Sequence, residues 1–470
     1  MKAPLLAFAL ALSVQAQAAL PPAVKAALDR AGIPVSAVGI VVQQVDAPRA
    51  AVSQNPATPM NPASVMKLVT AYAALDLLGP AYTFRTDVLA TGPIDSGVLQ
   101  GDLVLRGGGD PRLLATDLWQ LVHQLRSRGI HEVTGDVILD RTHFAPAPHD
   151  PGRFDNDPHR AYNVGADALL ANQQVVTFRF VPDGNGVRVI ADPDLPNVEV
   201  QSRLVPTAEP CGSWRRGIRH AFDERGLLAT VSFTGEYPTA CGEREWALSL
   251  FDAPRFLEAN LRWLWSEAGV KLRGKVRSAL APGAARLVLR HESPPLADLV
   301  RDMDKHSNNV MARHLFLELS AAAGTPGDEA RSAGRVREWL ATRHIDAQGL
   351  VLENGSGLSR SERVSAQTLA ALLRDAWHGA LMPELVSSLP ILGVDGTFRS
   401  RTGTTATGQA HLKGGTLDDV QAIAGFVVDR GGARWIVVML VNHPRAGAAQ
   451  PAVDALVDWA HAHGPKAGAP

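Results

Sequence analysis

Between about residue 84 and residue 290 the chain changes texture, and that change constrains its fold more than any other feature of the sequence. Short alternating runs such as "GVLQGDLVLRG", "EVTGDVILD", "VVTFRFVPDGNGVRVIAD" and "LLATVSFTGEY" are broken by Gly, Pro and Asp, the pattern of half-buried strands and turns. On either side the segments are longer and more apolar. "SAVGIVVQQV" and "RAAVSQ" read as a pair of strands, and "SVMKLVTAYAALDLLGP" as a helix that stops at Gly79-Pro80. Beyond 290 come helices in "PPLADLVRDMDKHSNNVMARHLFLELSAAAG" and "DEARSAGRVREWLATRHI", strands in "AHLKGGTLDDVQAIAGFVVD" and "RWIVVMLVNH", and a last helix in "AAQPAVDALVDWAHAHG". The organisation this predicts is one α/β unit, residues 20–83 with 290–470, split by a long β-rich insertion of two small modules. A chain of 470 residues is too long for one core, so several domains are expected on length alone.

The N-terminus has the form of a secretory leader. Lys2 precedes the apolar run "APLLAFALALSV", and Ala16-Gln17-Ala18 offers a small-x-small cleavage site, so residues 1–18 read as a signal peptide. No later stretch approaches the roughly 20 apolar residues of a membrane helix, so no transmembrane anchor is expected. Export to the periplasm permits disulfides, and Cys211 and Cys241, the only cysteines, are candidates to pair across the loop between them. A net charge of −1 argues against nucleic acid as a partner. The 15 histidines form no His-Glu-x-x-His or similar cluster, so neither a metal nor another cofactor is expected. "RGGGDP" lacks the Gly-Lys-Ser/Thr ending of a phosphate loop and reads as a tight turn.

The chain has 8 lysines against 38 arginines, which makes the position of each lysine informative. Ser64 and Lys67 stand three residues apart at the start of the first long helix, on one face, where an amine reaches a hydroxyl. A serine at a helix N-terminus also points its own N–H outward, as a donor to an oxyanion. For the amine to accept a proton near neutral pH it must be buried or lie beside a second cation, and arginine cannot take its place. Ser-x-x-Lys alone is a weak signal, but two partners follow. "KHSNNVM" places Ser307, Asn308 and Asn309 in a bend between two helices, and "HLKGGTL" places Lys413 on the approach to a strand, followed by two glycines that let a substrate backbone lie close.

In this order the three stretches resemble the Ser-x-x-Lys, Ser-x-Asn and Lys-Thr-Gly set of penicillin-binding proteins and serine β-lactamases. The long separation of Ser64 from Ser307, with "LRGGGDPRLL" and "NGSGLSR" between and beyond, resembles the type-4 low-molecular-mass class. That class is the D-alanyl-D-alanine carboxypeptidase/endopeptidase family S13. The resemblance spans essentially the whole mature chain. It implies an α+β penicillin-binding/β-lactamase-like domain, an antiparallel sheet flanked by helices with a helical subdomain. Two β-rich domains would interrupt it, the first from 84–180 and 256–289 and the second from 181–255.

By the same resemblance Ser64 would be the nucleophile and Lys67 its general base. Ser307 would relay a proton to the leaving amine, and Asn309 would hold the acyl side of the substrate. Lys413 would be the cation that keeps Lys67 neutral and would help hold the terminal carboxylate. The N–H groups of Ser64 and Thr416 would form the oxyanion hole, with Gly415 beside them. Arg360, from "SGLSR", would lie near the substrate, and Asp157, with Asp155 as its competitor, would meet the free amine of the peptide's diamino acid. The implied partners are peptidoglycan stem peptides and cross-links, with β-lactams as covalent inhibitors, and the resemblance admits a homodimer.

The third motif departs from the pattern, because Gly414 stands where a hydroxyl residue is usual. The nearby "RTGTT" has the right letters but the wrong base, since Arg401 does not titrate, and "HLKGGTL" is the stretch that directly precedes the "AIAGFVV" strand. Two other readings stay open. A β-lactamase would need a short gap between the motifs, and a binding protein that has lost catalysis would draw its only support from Gly414.

Overall fold

The computed structural model describes residues 20–184 and 186–463, so the leader expected over 1–18 lies outside the described residues. Both ends of the chain meet in one five-stranded antiparallel sheet. Its order is Ala410–Leu417, Val420–Val428, Arg434–Asn442, Val38–Gln44 and Val52–Gln54. Val38–Gln44 pairs with Arg434–Asn442 along its whole length, and this pairing joins the two halves of the split unit.

Both faces of the sheet are covered, which explains why its central strands read as unbroken apolar runs. In Arg434–Asn442, Val437, Met439 and Val441 pack with helices Pro22–Ala31 and Gln450–Ala462. Ile436, Val438 and Leu440 point the other way, into a second cluster with Lys67–Leu78, Leu296–His306, Asn309–Ala321 and Ala366–His378. The functional stretches lie at the boundary between this helical layer and the edge strand Ala410–Leu417.

The insertion leaves and re-enters side by side. Its first strand, Arg85–Ala90, pairs antiparallel with its last, Arg286–Glu292, inside a five-stranded sheet completed by Leu103–Gly107, Val137–Asp140 and Val276–Ser278. An insertion with adjacent ends leaves its host's core undisturbed. Residues 175–249 form two three-stranded sheets. The division expected at 180/181 falls inside the strand Val175–Pro182, which pairs along most of its length with Val187–Asp192 and cannot be cut there. The insertion as a whole, residues 84–290, is also less purely β than its texture predicts. Helices Ala115–Ser127 and Ala253–Ala268 pack on each other within it, presenting Leu118, Leu121, Val122 and Leu125 on one and Phe256, Leu257, Leu261, Leu264 and Trp265 on the other.

Cys211 and Cys241 are joined in a disulfide with their Cα atoms 4.7 Å apart, so the described residues hold no free cysteine. At "RGGGDP" the backbone is too crowded for side chains. A Cβ at Gly107 would stand 2.1 Å from the Ala168 carbonyl oxygen, and one at Gly108 2.4 Å from that of Arg85. No helix among the described residues is long and apolar enough to cross a membrane.

Candidate active site

Ser64 does not open an α-helix directly. It lies in a 3₁₀ turn, Ala63–Met66, that runs into the α-helix Lys67–Leu78. Residues three apart eclipse in a 3₁₀ turn, so the spacing of Ser64 and Lys67 stacks the two side chains. Ala63, just before the serine, has φ +46°, a left-handed conformation costly for a residue with a Cβ. Its surroundings impose it. Asn61 Oδ1 accepts the Ala63 N–H at 2.9 Å, Asn442 clamps the Asn61 backbone with bonds of 2.7 and 2.9 Å, and Gly357 fits so closely that a Cβ there would lie 1.9 Å from the Ala63 carbonyl oxygen.

Lys67 is fully buried. Its Nζ lies 3.0 Å from Ser64 Oγ and 2.6 Å from Asn309 Oδ1, and it also bonds the Ser356 carbonyl oxygen. The Asn309 amide is oriented by its own Nδ2, which donates to the Tyr162 carbonyl. Asn309 Oδ1 and Ser356 O can only accept. A neutral amine has two N–H donors and one lone pair, so with both donors given to these oxygens the lone pair is left for the Ser64 hydroxyl proton. Burial, followed by the nearby charge of Lys413, pushes the Lys67 pKa well below its usual value, as that arrangement requires.

Ser307 occupies the bend between helices Leu296–His306 and Asn309–Ala321 in a left-handed conformation, φ +55°. Asn308 caps the second helix by accepting the Met311 N–H. Lys413, also fully buried, donates to Ser307 Oγ at 2.8 Å and to the Gly414 carbonyl at 2.9 Å. Burial lowers the Lys413 pKa to about 8, against the opposing pull of Asp304.

Gly415 lets the edge strand press against the serine turn, since a Cβ there would meet the Pro62 carbonyl oxygen at 2.5 Å and the Ser64 nitrogen at 2.9 Å. Leu412 sends its N–H out of the sheet to the Pro390 carbonyl, so by the two-residue period of a strand the N–H of Thr416 faces the same outer edge. The Ser64 N–H is given to no protein group among the described residues. Ser64, Ser307, Gly414, Gly415 and Thr416 line one cleft of about 360 Å³. Two outward N–H donors, a serine beside an amine whose charge is disfavoured by burial and a second hydroxyl bonded to a lysine are the components of acyl transfer.

The outer residues are more dispersed. Arg360 is half exposed, lies 4.5 Å over the Phe154 ring and reaches Asp418 and Asp419, each at 3.4 Å. Asp155 and Asp157 both pair with Arg160, at 2.9 and 2.8 Å, and Asp155 also accepts from Tyr162 Oη and Asn163 Nδ2. These bonds hold the Asp155 carboxyl below its usual range against the opposing effect of burial.

Several members of the site lie outside the sequence motifs. Glu362, fully buried, accepts the N–H groups of Glu353, Asn354, Gly355 and Gly357 and so shapes the turn that carries the Ser356 carbonyl. Asp304 is fully buried, accepts from Ser388 Oγ at 2.9 Å and is pushed up to about 6 by burial. Arg401, set aside above because it cannot titrate, lines the same cleft as Ser64. "NGSGLSR" and "KHSNN" flag the neighbourhoods of the first two, and "RTGTT" flags the third only as a stretch resembling the third motif.

The D-Ala-D-Ala carboxypeptidase 3 (S13) family model matches residues 21–463. A D-alanyl-D-alanine carboxypeptidase of Actinomadura sp. (strain R39) is 31% identical over 435 residues, covering 88% of this chain and 79% of that one. The D-alanyl-D-alanine carboxypeptidase DacB of Haemophilus influenzae is 27% identical over 434 residues, 87% of this chain and 85% of its own. The crystal structure of penicillin binding protein 4 (dacB) from Haemophilus influenzae superposes with a TM-score of 0.76 at 23% identity, covering 92% of this chain and 99% of that one.

Proposed function

Because the chain belongs to the D-Ala-D-Ala carboxypeptidase (S13) family, we propose that it is an exported serine DD-peptidase of peptidoglycan, cleaving D-Ala-D-Ala termini and D-Ala-diaminopimelate cross-links. The observation that carries this reading is the burial and hydrogen-bonding of Lys67: once burial makes its amine neutral, two obligate acceptors take its N–H groups and its lone pair is left for Ser64. The Ser64 hydroxyl proton passes to Lys67 Nζ as Oγ attacks the carbonyl carbon of the penultimate D-Ala. The oxyanion forms between the N–H groups of Ser64 and Thr416. As the C–N bond breaks, Ser307 Oγ gives its proton to the leaving amine and receives in its place the proton that Lys67 took from Ser64, which leaves Lys67 neutral again, with Lys413 holding Ser307 in place. Water then attacks the acyl-Ser64 ester, releases the shortened peptide and restores the serine. Asn309 fixes Lys67 and stands at the acyl side of the cleft.

Penicillin would enter the same sequence and stop at the acyl-enzyme. The long insertion supports a peptidase over a β-lactamase, since residues 150–164 reach the site through Tyr162 and Asn309. The test is intact mass after a penicillin pulse and chase, with the modified peptide sequenced. A persistent adduct on Ser64 is the expected result. Rapid loss of the adduct would make the protein a β-lactamase, and no adduct would end the serine reading.

A further inference from the structure

Gly414 leaves the third motif without its hydroxyl, and the space beside it is filled. A Cβ at 414 would lie 3.0 Å from Phe398 Cζ, so the aromatic ring occupies the place where a side chain would project. The Arg401 guanidinium carbon sits 4.9 Å over that ring. The side chain, 22% exposed, lines the cleft that also contains Ser64, Ser307 and Thr416.

Lys413 is poorly placed to meet an incoming anion. It is fully buried, and two of its three ammonium N–H groups already go to Ser307 Oγ and the Gly414 carbonyl. Arg401 is differently equipped. One of its nitrogens, Nη2, bonds Asp454, and its other side-chain N–H groups have no partner among the described residues. Asp454 also accepts from Gln450 Nε2 at 3.0 Å, Gln450 Oε1 accepts from Gln421 at 3.2 Å, and Gln421 Oε1 lies 3.4 Å from Thr416 Oγ1. This chain of bonds ties the guanidinium to the strand that supplies the oxyanion donor, while the Phe398 ring fixes its plane.

In a peptide ending in D-Ala-D-Ala the terminal carboxylate follows the scissile carbonyl by one residue, about 3.8 Å along the chain. With the scissile carbonyl held at Ser64 and Thr416, the carboxylate falls within the same cleft, on the side away from the acyl chain. We propose that Arg401 receives this carboxylate and is the specificity-determining residue for a free terminal D-Ala, in place of the hydroxyl that Gly414 lacks. The planar fork of a guanidinium matches a carboxylate, and the Asp454 bond holds that fork without occupying all of it. The assignment rests on Ser64 being the acylated serine.

The test uses benzylpenicillin, whose carboxylate stands where the terminal one would, and its methyl ester, which lacks the charge. Second-order rates of Ser64 acylation are measured by intact mass for the full chain and for Arg401→Gln and Arg401→Lys. The parent is expected to prefer the free acid. Arg401→Gln should cut that preference by about 10- to 150-fold, the range for a hydrogen bond to a charged group, entirely through the free acid. Arg401→Lys should keep part of it. A preference unchanged in Arg401→Gln, or a parent that takes both forms alike, overturns the proposal, and equal slowing on both compounds assigns Arg401 a structural role only. If Arg401→Gln fails to fold, the comparison of Arg401→Lys with the parent decides by the same ratio. Absence of any Ser64 adduct in the parent overturns the peptidase reading itself and is a distinct result.

Discussion

Replacing each buried site lysine by arginine separates the property each must have. In Lys67→Arg the guanidinium keeps the charge and can still donate to Asn309 Oδ1 and the Ser356 carbonyl, but it holds its proton and offers no lone pair to Ser64 Oγ. The expected loss is that of a general base, about 10²–10⁴-fold in acylation rate, or about 3–5 kcal/mol of activation free energy. At Lys413 both partners, Ser307 Oγ and the Gly414 carbonyl, can accept from a guanidinium. Lys413→Arg therefore keeps the cation and should acylate at least about tenfold faster than Lys67→Arg, one decade being the smallest gap that a lost base leaves clear. Both sites are fully buried, so overpacking should cost each variant about 1–3 kcal/mol of stability, and thermal unfolding must show both folded at the assay temperature. The assay is the second-order rate constant for benzylpenicillin acylation, read as intact mass in quenched samples. Equal losses, or a milder loss for Lys67→Arg, would refute Lys67 as the base and leave Ser64-Val65-Met66-Lys67 as a turn that buries a lysine.

Lys413 loses its proton as pH rises through about 8, so its charge is fully present below that value; acylation should decline above pH 8 in the parent and stay level in Lys413→Arg, as a stopped-flow pH profile would reveal. Replacing Cys211 and Cys241 by serine opens a loop spanning 30 positions and should lower stability by about 3–4 kcal/mol in chemical denaturation, with penicillin acylation unchanged because the bridge lies in the insertion. Gly414→Thr restores the usual hydroxyl but drives Cβ toward Phe398, so it should cost about 1–3 kcal/mol and weaken the preference for a free carboxylate; a stable variant with lower KM would contradict this. Glu362→Gln replaces one acceptor oxygen by an NH2 donor that faces the backbone N–H groups it held and should cost about 1–3 kcal/mol, with a fall in acylation as the Ser356 carbonyl moves, measured by denaturation and penicillin rates.

What could be read in advance was whatever depends on short spacing or on a long periodic run. Ser64 with Lys67, and Ser307 with Asn309, are local arrangements, and Arg434–Asn442 is apolar throughout because helices cover both its faces. The inserted helices were legible in principle. Ala253–Ala268 has Asp252 accepting the Arg255 N–H at its start and Gly269 in a left-handed conformation at its end, but strand-like neighbours hid its periodicity. The acceptor from Ser356 was not legible, because it is a backbone carbonyl 289 positions from Lys67 and carries no side-chain signature. Arg401 was set aside as a base, and its place in the cleft was not legible, for a related reason. Its letters were tested against the chemistry of a titrating lysine, whereas its place in the cleft comes from Phe398, Asp454 and the edge strand meeting in space.

The charges around Ser64 give a reason for the carboxylate to be received by Arg401 and not by Lys413. Lys67, Lys413 and Arg313 are buried there with Asp304 and Glu362, so cations outnumber carboxylates in a region where an isolated charge costs several kcal/mol. The imbalance is relieved at Lys67, where burial and then the charge of Lys413 favour the neutral amine. A substrate carboxylate seated on Lys413 would offset the charge that, after burial, does most to favour the neutral form of Lys67, and would draw a proton toward the base on binding. Arg401 is not among the largest influences on Lys67, so a carboxylate held there disturbs the amine less than one seated on Lys413 would. The acidic limb of the pH profile should therefore be the same for free enzyme and for the complex with a carboxylate-bearing substrate. A limb displaced upward in kcat relative to kcat/KM would place the carboxylate on Lys413 instead.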